Sequence, residues 1–458
     1  MNPIQSIAVI PGIAAILWLF RKSYREAYID IYLFSLFLLP GWCRFVLPGV
    51  PDLTFHEAAI LPIAAAFLLR AWRAWKWSVT DFLVIGYALS SGYSELINAG
   101  FSDAQNLMFD MIAAGVFPYM LTKGIVEPSG LRVVFVKRIV SLLAILTILF
   151  TYEFKFASNP YRLVFDNFFR GQGDGWVTTF RYGFVRTACP YGHAILAGVV
   201  FLIGLRLNRW LVRAGHWQGL FQRLPAFPKS TVMTTALGAG LFMTMVRGPQ
   251  IGTLIAWIVS MMGRGRNPKR RSVAVAVLLV IVGTPIAIMS YQYASVGREH
   301  AKDANQESAA YRKELIDRYA DIAMEHAPFG WGTNGWPKVS GMPSIDNYYL
   351  LLALMHGLVT LAFLLALLLW MLVRLLRNGL LYGPMYPDGG SLSFALAGVF
   401  AGVMFSILTV YMGDNVVPIF FVLIGFAEGF LQAGGDGSDR QAIAPGLVAE
   451  DVRYRVLV

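Results

Sequence analysis

The chain has 458 residues, of which 57% are hydrophobic and only 14% charged, with a mean hydropathy of +0.57; a soluble domain is about one-quarter charged. These figures describe an integral membrane protein and exclude a soluble enzyme, a nucleic-acid-binding module and a disulfide-stapled secreted scaffold. The formal net charge of +11 has its cheapest explanation in topology, because cytoplasmic loops of membrane proteins collect Lys and Arg.

A helix that crosses the hydrocarbon core needs about 20 mostly apolar residues. In chain order, apolar stretches predict spans at roughly 3–20, 29–47, 57–70, 79–98, 105–122, 133–153, 188–206, 230–246, 249–263, 272–291, 346–373, 391–412 and 415–432. The expected fold is therefore all-α and polytopic, with about 12–13 transmembrane helices and two larger periplasmic loops. It divides into N-terminal transmembrane helices over 1–153, a first large periplasmic loop over 154–187, and central transmembrane helices over 188–291. A second large periplasmic loop follows over 292–345, then C-terminal transmembrane helices over 346–433 and a cytoplasmic tail over 434–458. The first stretch lacks a basic start and a small-residue cleavage site, so it reads as a retained span or a short re-entrant segment and not as a signal peptide.

With the N-terminus outside, the inside segments hold the basic groups Arg21, Lys22 and Arg25; Arg70, Arg73 and Lys76; Lys123, Arg132, Lys137 and Arg138; Arg206, Arg209, Arg213, Arg223 and Lys229; Arg264, Arg266, Lys269, Arg270 and Arg271; Arg374 and Arg377; and the tail's Arg440, Arg453 and Arg455. The charge left outside is more informative. Lys155, Arg162, Arg170, Arg181 and Arg186 sit in the first loop, and Arg298, Lys302, Arg312, Lys313, Arg318 and Lys338 in the second, with Arg44 and Arg247 completing the set. Arginine on the face that the positive-inside rule depletes calls for an anionic ligand such as phosphate, or for pairing with acids of the same loops, Asp166, Asp174, Glu299, Asp303, Glu307, Glu314, Asp317, Asp321 and Glu325. The two cysteines, Cys43 and Cys189, fall near outer helix ends; they form one bridge or stay as buried thiols, and support no disulfide framework or cysteine metal site.

The first loop is aromatic and glycine-rich and has no helical period, which predicts a folded cap with turns at Gly171, Gly173 and Gly175. In the second, Tyr311, Leu315, Ile316, Tyr319, Ile322 and Ala323 predict an amphipathic helix over 308–326, flat on the outer surface or over a cavity. Pro328, Gly330, Gly332 and Gly335 end it, with Trp331 and Trp336 at the interface or beside a sugar ring. The Gly- and Asp-rich tail after Ala433 is expected to be disordered. No repeat of fixed period is visible, and no P-loop, HExxH, GxSxG or strand-borne GxGxxG occurs.

Three sequence elements fall on the expected outer face: RTACPYGHAILAG (186–198), MVRGPQIGTLIAWIV (245–259), and a long run whose PFGWG turn is followed by DNYYLLLALMHGL (327–358). Their order and spacing, over roughly residues 130–430, resemble the O-antigen ligase and polysaccharide polymerase superfamily. The resemblance implies a polytopic enzyme that moves an oligosaccharide from an undecaprenyl-diphosphate carrier to an acceptor hydroxyl on the periplasmic side of the bacterial inner membrane. It implies no nucleotide sugar, no metal and no cofactor. The expected partners are the undecaprenyl-diphosphate-linked oligosaccharide, membrane lipid and a chain-length regulator, with no nucleic acid. The absence of an Asp-x-Asp metal motif at a loop agrees with a lipid-linked donor.

In that reaction a departing diphosphate needs neutralising, and guanidinium forks pair with its oxygens at any pH. Arg186 and Arg247 are the first choices; Arg247 interrupts an apolar stretch, where a charge is costly unless functional, the alternative being an arginine that snorkels to the interface. Arg181, Arg162 and Arg170 are further substrate-binding candidates. The acceptor hydroxyl needs a general base. Asp346, followed by Asn347, Tyr348 and Tyr349, is the candidate base or simply a helix N-cap. The ligase branch typically has histidine here, so the aspartate tilts the reading toward the polymerase branches. His193, His326, Trp331, Trp336, Asn347 and Tyr348 complete the expected substrate-binding set, with Glu325 and His300 in reserve as bases. The leading expectation is a polymerase of lipid-linked repeat units, making O-antigen or exopolysaccharide by an inverting transfer. The alternatives are a ligase that delivers finished glycan to lipid A–core, and a flippase for the same lipid-linked sugars, which would place its charges at mid-membrane on broken helices.

Overall fold

The computed structural model of the protein describes residues 3–47, 49–172, 178–217, 228–265, 267–342, 344–413 and 415–438. Gly173, Asp174, Gly175, Arg223, Arg266 and the tail beyond Ser438, each given a part in the sequence reading, lie outside the described residues.

Helices occupy every stretch expected to span. α1 (Ile10–Arg21) leads through a Ser23/Glu26 capping box into α2 (Tyr24–Ala27), which continues by a π turn into α3 (Leu33–Leu38). The predicted span over 29–47 stops early at Leu38, because Pro40 and Gly41 follow. The chain then forms a small antiparallel hairpin, β1 (Arg44–Leu47) with β2 (Val50–Thr54), in which Arg44 faces Thr54 and Phe45 faces Leu53. α4 (Phe55–Ala71) and α5 (Val79–Ala99) each start on a capping box, Thr54/Glu57 and Ser78/Asp81. α6 (Phe101–Asp110) and α7 (Phe117–Ile125) are joined by another π turn, and α8 (Arg132–Phe156) closes the N-terminal half.

The first large loop carries a short helix, α9 (Pro160–Phe165), and a second hairpin, β3 (Phe180–Arg181) with β4 (Phe184–Val185). Its turn residues Tyr182 and Gly183 both take positive φ, 53° and 79°, the requirement of a tight two-residue hairpin turn. Then follow α10 (Ala194–Arg213), α11 (Lys229–Met243), α12 (Arg247–Met261), and α13 (Pro268–Leu278) with α14 (Thr284–Ala294), which a π turn joins. The amphipathic helix is present as α15 (Ala304–Glu325), four residues longer at its start than expected because the Asp303 side chain accepts hydrogen bonds from the Asn305 and Gln306 amides. The last helices are α16 (Tyr348–Tyr382), α17 (Leu392–Ser406) and α18 (Val416–Gln432).

Among the described residues five segments are long and apolar enough to cross a membrane: Phe55–Ala74, Arg132–Phe156, Ala194–Arg213, Pro268–Ala294 and Tyr348–Met385. Gln5–Arg21, α17 and α18 are shorter apolar helices. The protein is thus an all-α polytopic membrane protein. α10 and α18 form the centre, buried along nearly their whole lengths. The segment formed by α13 and α14 is the opposite, apolar and exposed throughout, as lipid-facing helices are.

Packing without a hydrophobic driving force between helices relies on small residues that let backbones approach. α12 and α17 meet this way: Gly252, Ala256 and Ser260 lie against Gly398, Gly402 and Ser406, and a Cβ on Gly252 would come 2.7 Å from the Gly402 carbonyl oxygen. At one end of the bundle α5, α7, α16 and α18 are tied by buried charge. Lys123 donates to both Asp81 oxygens at 2.7 Å, and Arg374 pairs with the fully buried Glu428, which also accepts from Thr80 at 2.7 Å. Breaking either pair strands its partner in the interior. Cys43 and Cys189 are both free and buried, so the bridge is not formed.

Candidate active site

Three turns assemble at the end of the bundle that carries the two large loops. The first is the stretch after β4. It is held by Glu153, at 1% exposure near the end of α8, whose carboxylate accepts from the Ala188 and Cys189 amides at 3.2 and 2.8 Å and from Asn159 at 3.3 Å. Cys189 takes a positive φ of 45°, so α10 begins at Ala194, after His193, and not near 188 as expected. The Arg186 amide bonds the Thr179 carbonyl at 2.9 Å, which sets where its side chain leaves the backbone.

The second turn joins α11 to α12 at Met245, whose φ is 51°. It packs onto the first: a Cβ on Gly198 of α10 would meet Pro249 at 2.8 Å, and one on Gly248 would meet Thr409 at 2.5 Å. The first two sequence elements therefore meet where Gly198 lies against Pro249, and Gly248 seats the turn against Thr409. Arg247 leaves the first residue of α12 and donates to the Tyr182 hydroxyl at the tip of the β3–β4 hairpin, while Arg181 of the same hairpin donates to the Met245 carbonyl at 3.0 Å.

The third element breaks α16. Gly357 adopts a left-handed φ of 78°, and the PFGWG loop inserts at the break. Leu358 and Val359 amides bond the carbonyls of Ala327 and Pro328 at 2.6 and 3.2 Å, and the amides of Trp331 and Gly332 bond Leu354 and Met355, each at 2.8 Å. The loop is clamped from α5, where Ser94 donates to the Phe329 carbonyl, Asn98 to Gly330 at 3.2 Å, and Glu95 accepts from the Thr333 amide and hydroxyl at 2.9 and 2.8 Å. An unbroken helix over 346–373 was the expectation; a helix interrupted at membrane depth is stable where loop groups satisfy its freed amides and carbonyls.

Between these elements lies a cavity of about 610 Å³, walled by α10, α12, α14, α15 and the end of α17. Its lining includes the charged Arg181, Arg247 and Arg312 and the apolar Ile251, Ile286 and Met289. Arg186 stands close by: burial, with the like charges of Arg181 and Arg312, lowers its guanidinium to about 10, and Asp346 opposes the shift. Arg181 is lowered by burial and by Arg247 and Arg312. The Nε atoms of Arg186 and Arg312 are buried with no hydrogen-bond partner. Four guanidinia thus share one region without a carboxylate paired to any of them among the described residues, an arrangement suited to an oxyanion with several oxygens. The side chains of Arg298, Lys313 and Arg318 do pair, with Glu307, Asp317 and Glu314, as the acid-pairing alternative expected.

Asp346 accepts a hydrogen bond from the Ser344 hydroxyl at 3.1 Å and is half-buried. It does not cap α16. Asn347 does, its side chain accepting from the Tyr349 and Leu350 amides at 3.1 and 3.2 Å, which leaves the neighbouring carboxylate available. The same bonds occupy the Asn347 oxygen that was expected to meet substrate. Tyr348 is buried with its hydroxyl 2.8 Å from that of Tyr87, so it faces the core.

His193 caps α10 by accepting from the Ile195 amide at 3.1 Å, and burial beside Arg186 lowers its imidazole to about 4. His326 is exposed and stacks on Trp331 at 3.6 Å, and Trp331 donates to the Ile322 carbonyl. Trp336 is buried, with the Lys338 ammonium 3.4 Å from its ring centre. Arg162 pairs with Asp166 at 3.1 Å, and Arg170 is exposed. None of these six lines the cavity. Sequence reasoning passed over Arg312 as one more loop charge; its position about two turns into an amphipathic helix, near Tyr311 and Leu315, was the available signal. Glu153 carried none, since its partners are backbone amides distant in sequence. Among the described residues no group of three His, Cys, Asp or Glu side chains gathers as a metal site.

No curated protein matches the chain. The family model described as O-antigen ligase matches residues 232–365, from α11 through Arg247, Arg312 and Asp346 to the break in α16, so this part of the chain is similar to that family.

Proposed function

We propose that the protein is a membrane glycosyltransferase that polymerises undecaprenyl-diphosphate-linked repeat units into O-antigen or exopolysaccharide on the periplasmic face of the inner membrane. The observation that carries this reading is the meeting of Arg181, Arg247 and Arg312, with Arg186 close by, at one cavity that is also lined by the apolar Ile251, Ile286 and Met289. A polyprenyl diphosphate has both parts, a polyanionic head and a hydrocarbon tail, and the exposed α13–α14 segment borders the cavity where a tail would enter from lipid.

In this reading the guanidinia hold the diphosphate, and Arg247 is aimed by Tyr182. An acceptor hydroxyl gives its proton to Asp346 as its oxygen attacks the anomeric carbon. The bond from that carbon to the phosphate oxygen breaks, and undecaprenyl diphosphate leaves with the electron pair, its charge met by the arginines. Attack opposite the leaving group inverts the anomeric centre. The chemistry asks for no metal, and a regulator of chain length would act on the growing polymer from outside this site.

Asp346 in place of the histidine typical of ligases favours the polymerase over transfer to lipid A–core. The test is reconstitution of the purified protein with lipid-linked repeat units from its host, without lipid A–core, and analysis of products on a gel. A ladder of lengthening glycans that disappears in Asp346→Ala is the expected result. Transfer only after lipid A–core is added would make the protein a ligase, and lipid-linked sugar crossing the bilayer without transfer would make it a flippase.

A further inference from the structure

A second group of arginines lies at the other end of α10. Arg206, Arg209 and Arg213 follow at intervals of three and four residues, which puts them on neighbouring positions of one helix face. The sequence reading assigned them to an inside loop; the structure extends α10 through all three. Arg264, just after α12, joins them: a Cβ on Gly389, in the α16–α17 connection, would stand 3.2 Å from Arg213 Nη1 and 3.1 Å from Arg264 Cγ. Arg209, Arg213 and Arg264 are all near enough to repel the charge of Arg206.

Two features separate this group from ordinary inside-loop charge. Arg206 is only 3% exposed, and its Nε has no hydrogen-bond partner; Arg213 Nη2 is also buried without one. Among the described residues none of the four makes an ion pair. Nor is there a carboxylate to be had locally, because the sequence contains no acidic residue between Asp174 and Glu299. The acids that approach from other elements, Glu127, Asp436 and Asp388, line the cavity beside the group, and among the described residues none of them pairs with any of the four arginines. Glu127 holds Arg132 at 2.9 Å, and Asp436 accepts from the Ser391 hydroxyl at 2.6 Å and the Leu392 amide at 3.0 Å. Asp388 is exposed and unpaired within 4.0 Å. A buried guanidinium with three like neighbours and no counter-ion is strongly unfavourable unless an anion from outside completes the site.

Beside the group is a cavity of about 720 Å³, lined by Arg213 of the four, by Arg132, Trp210 and Tyr386, and by the acids Glu127, Asp388 and Asp436. α10 rises about 30 Å over its twenty residues, so this cavity and that of the candidate active site, which Ile195 at the start of α10 lines, stand on opposite faces of the membrane. Basic pockets between helices on the cytoplasmic side are fitted to phosphate-bearing headgroups.

We propose that Arg206, Arg209, Arg213 and Arg264 form a second anion site, on the face opposite the candidate active site, that takes a phosphate group. Its source is either the headgroup of an anionic phospholipid of the inner leaflet or a free phosphate, and binding there compensates the buried charge and ties α10 to the α12 end and the α16–α17 connection.

The test uses the full chain, purified in neutral detergent or held in nanodiscs, and its readouts do not involve glycan transfer. Native mass spectrometry is run from nanodiscs of phosphatidylcholine with and without phosphatidylglycerol, and thermal unfolding is followed with inorganic phosphate titrated against chloride. Retained phosphatidylglycerol that falls by about tenfold in Arg213→Gln/Arg264→Gln, and stays in Arg213→Lys, identifies the headgroup as the source. A midpoint that rises with the logarithm of phosphate concentration, and no longer does so in the double variant, identifies free phosphate. Arg206→Met provides a check that does not depend on a fragile variant, since with neither anion present it should unfold at a higher temperature than the wild type. If the wild type gains nothing from either anion and Arg206→Met is no more stable, the site does not exist.

Discussion

The separation of roles between Asp346 and Asn347 gives the sharpest residue-scale expectation. Asn347→Ala removes the cap of α16 and should cost about 1 kcal/mol of stability, seen as a lower unfolding midpoint with activity retained in the folded fraction. Asp346→Ala should leave the midpoint unchanged and abolish transfer. The arginines divide in the same way. Arg247→Ala and Arg186→Ala should each reduce turnover by about 100-fold or more if they meet the leaving diphosphate, whereas Arg162→Ala, which breaks an ion pair with Asp166 at the surface, should change little. Arg186 also sets a pH limit. Its guanidinium is lowered to about 10 by burial and by Arg181 and Arg312, so it is fully charged below that pH and loses its proton as pH rises through it. Affinity for a diphosphate analogue, measured by isothermal titration, should be level from pH 7 to 8.5 and fall above about 10, with Arg186→Ala removing that fall.

At the scale of elements, the break in α16 is the feature on which the site depends. Gly357 holds a φ of 78° and lies against the Pro328 carbonyl and the Phe329 amide, so a side chain there is strained by its backbone and collides with the inserted loop. Gly357→Ala should destabilise the protein by about 1–3 kcal/mol and expose the 327–336 loop to proteolysis, and cleavage mapping would detect this. The apolar periods of the sequence located α16 correctly, since burial of Leu352, Leu364, Leu368 and Met371 repeats at helical spacing. They carried no sign of the break, because the hydrogen bonds that make it affordable come from Ala327, Pro328 and the α5 side chains. The same limit applies to α3, where Pro40 and Gly41 were legible and the hairpin β1–β2 after them was not.

For the whole molecule, the exposed α13–α14 segment beside the cavity makes the path of the donor's hydrocarbon tail testable. Ile286→Glu or Met289→Glu sets a charge among the apolar residues of the cavity lining and should raise KM for a long polyprenyl donor by about tenfold or more, while a water-soluble donor with a short prenyl chain is used as before. Equal loss with both donors would mean that the tail does not pass there.

Composition and hydropathy were enough for an all-helical membrane protein, and short motifs pointed to the family whose model matches residues 232–365, because both are written in residue types along the chain. Arg181, Arg186 and Arg247 could be singled out from the chain alone, because arginine in an apolar or outer segment calls for an anion; their role in the reaction is a proposal. What the tertiary structure decided is which groups meet. It added Arg312 to the cluster and removed Tyr348 from it, moved the N-cap from Asp346 to Asn347, and buried Arg206 at the far end of α10. These outcomes depend on desolvation and on hydrogen bonds between residues far apart in the chain, and neither quantity exists until the helices are packed.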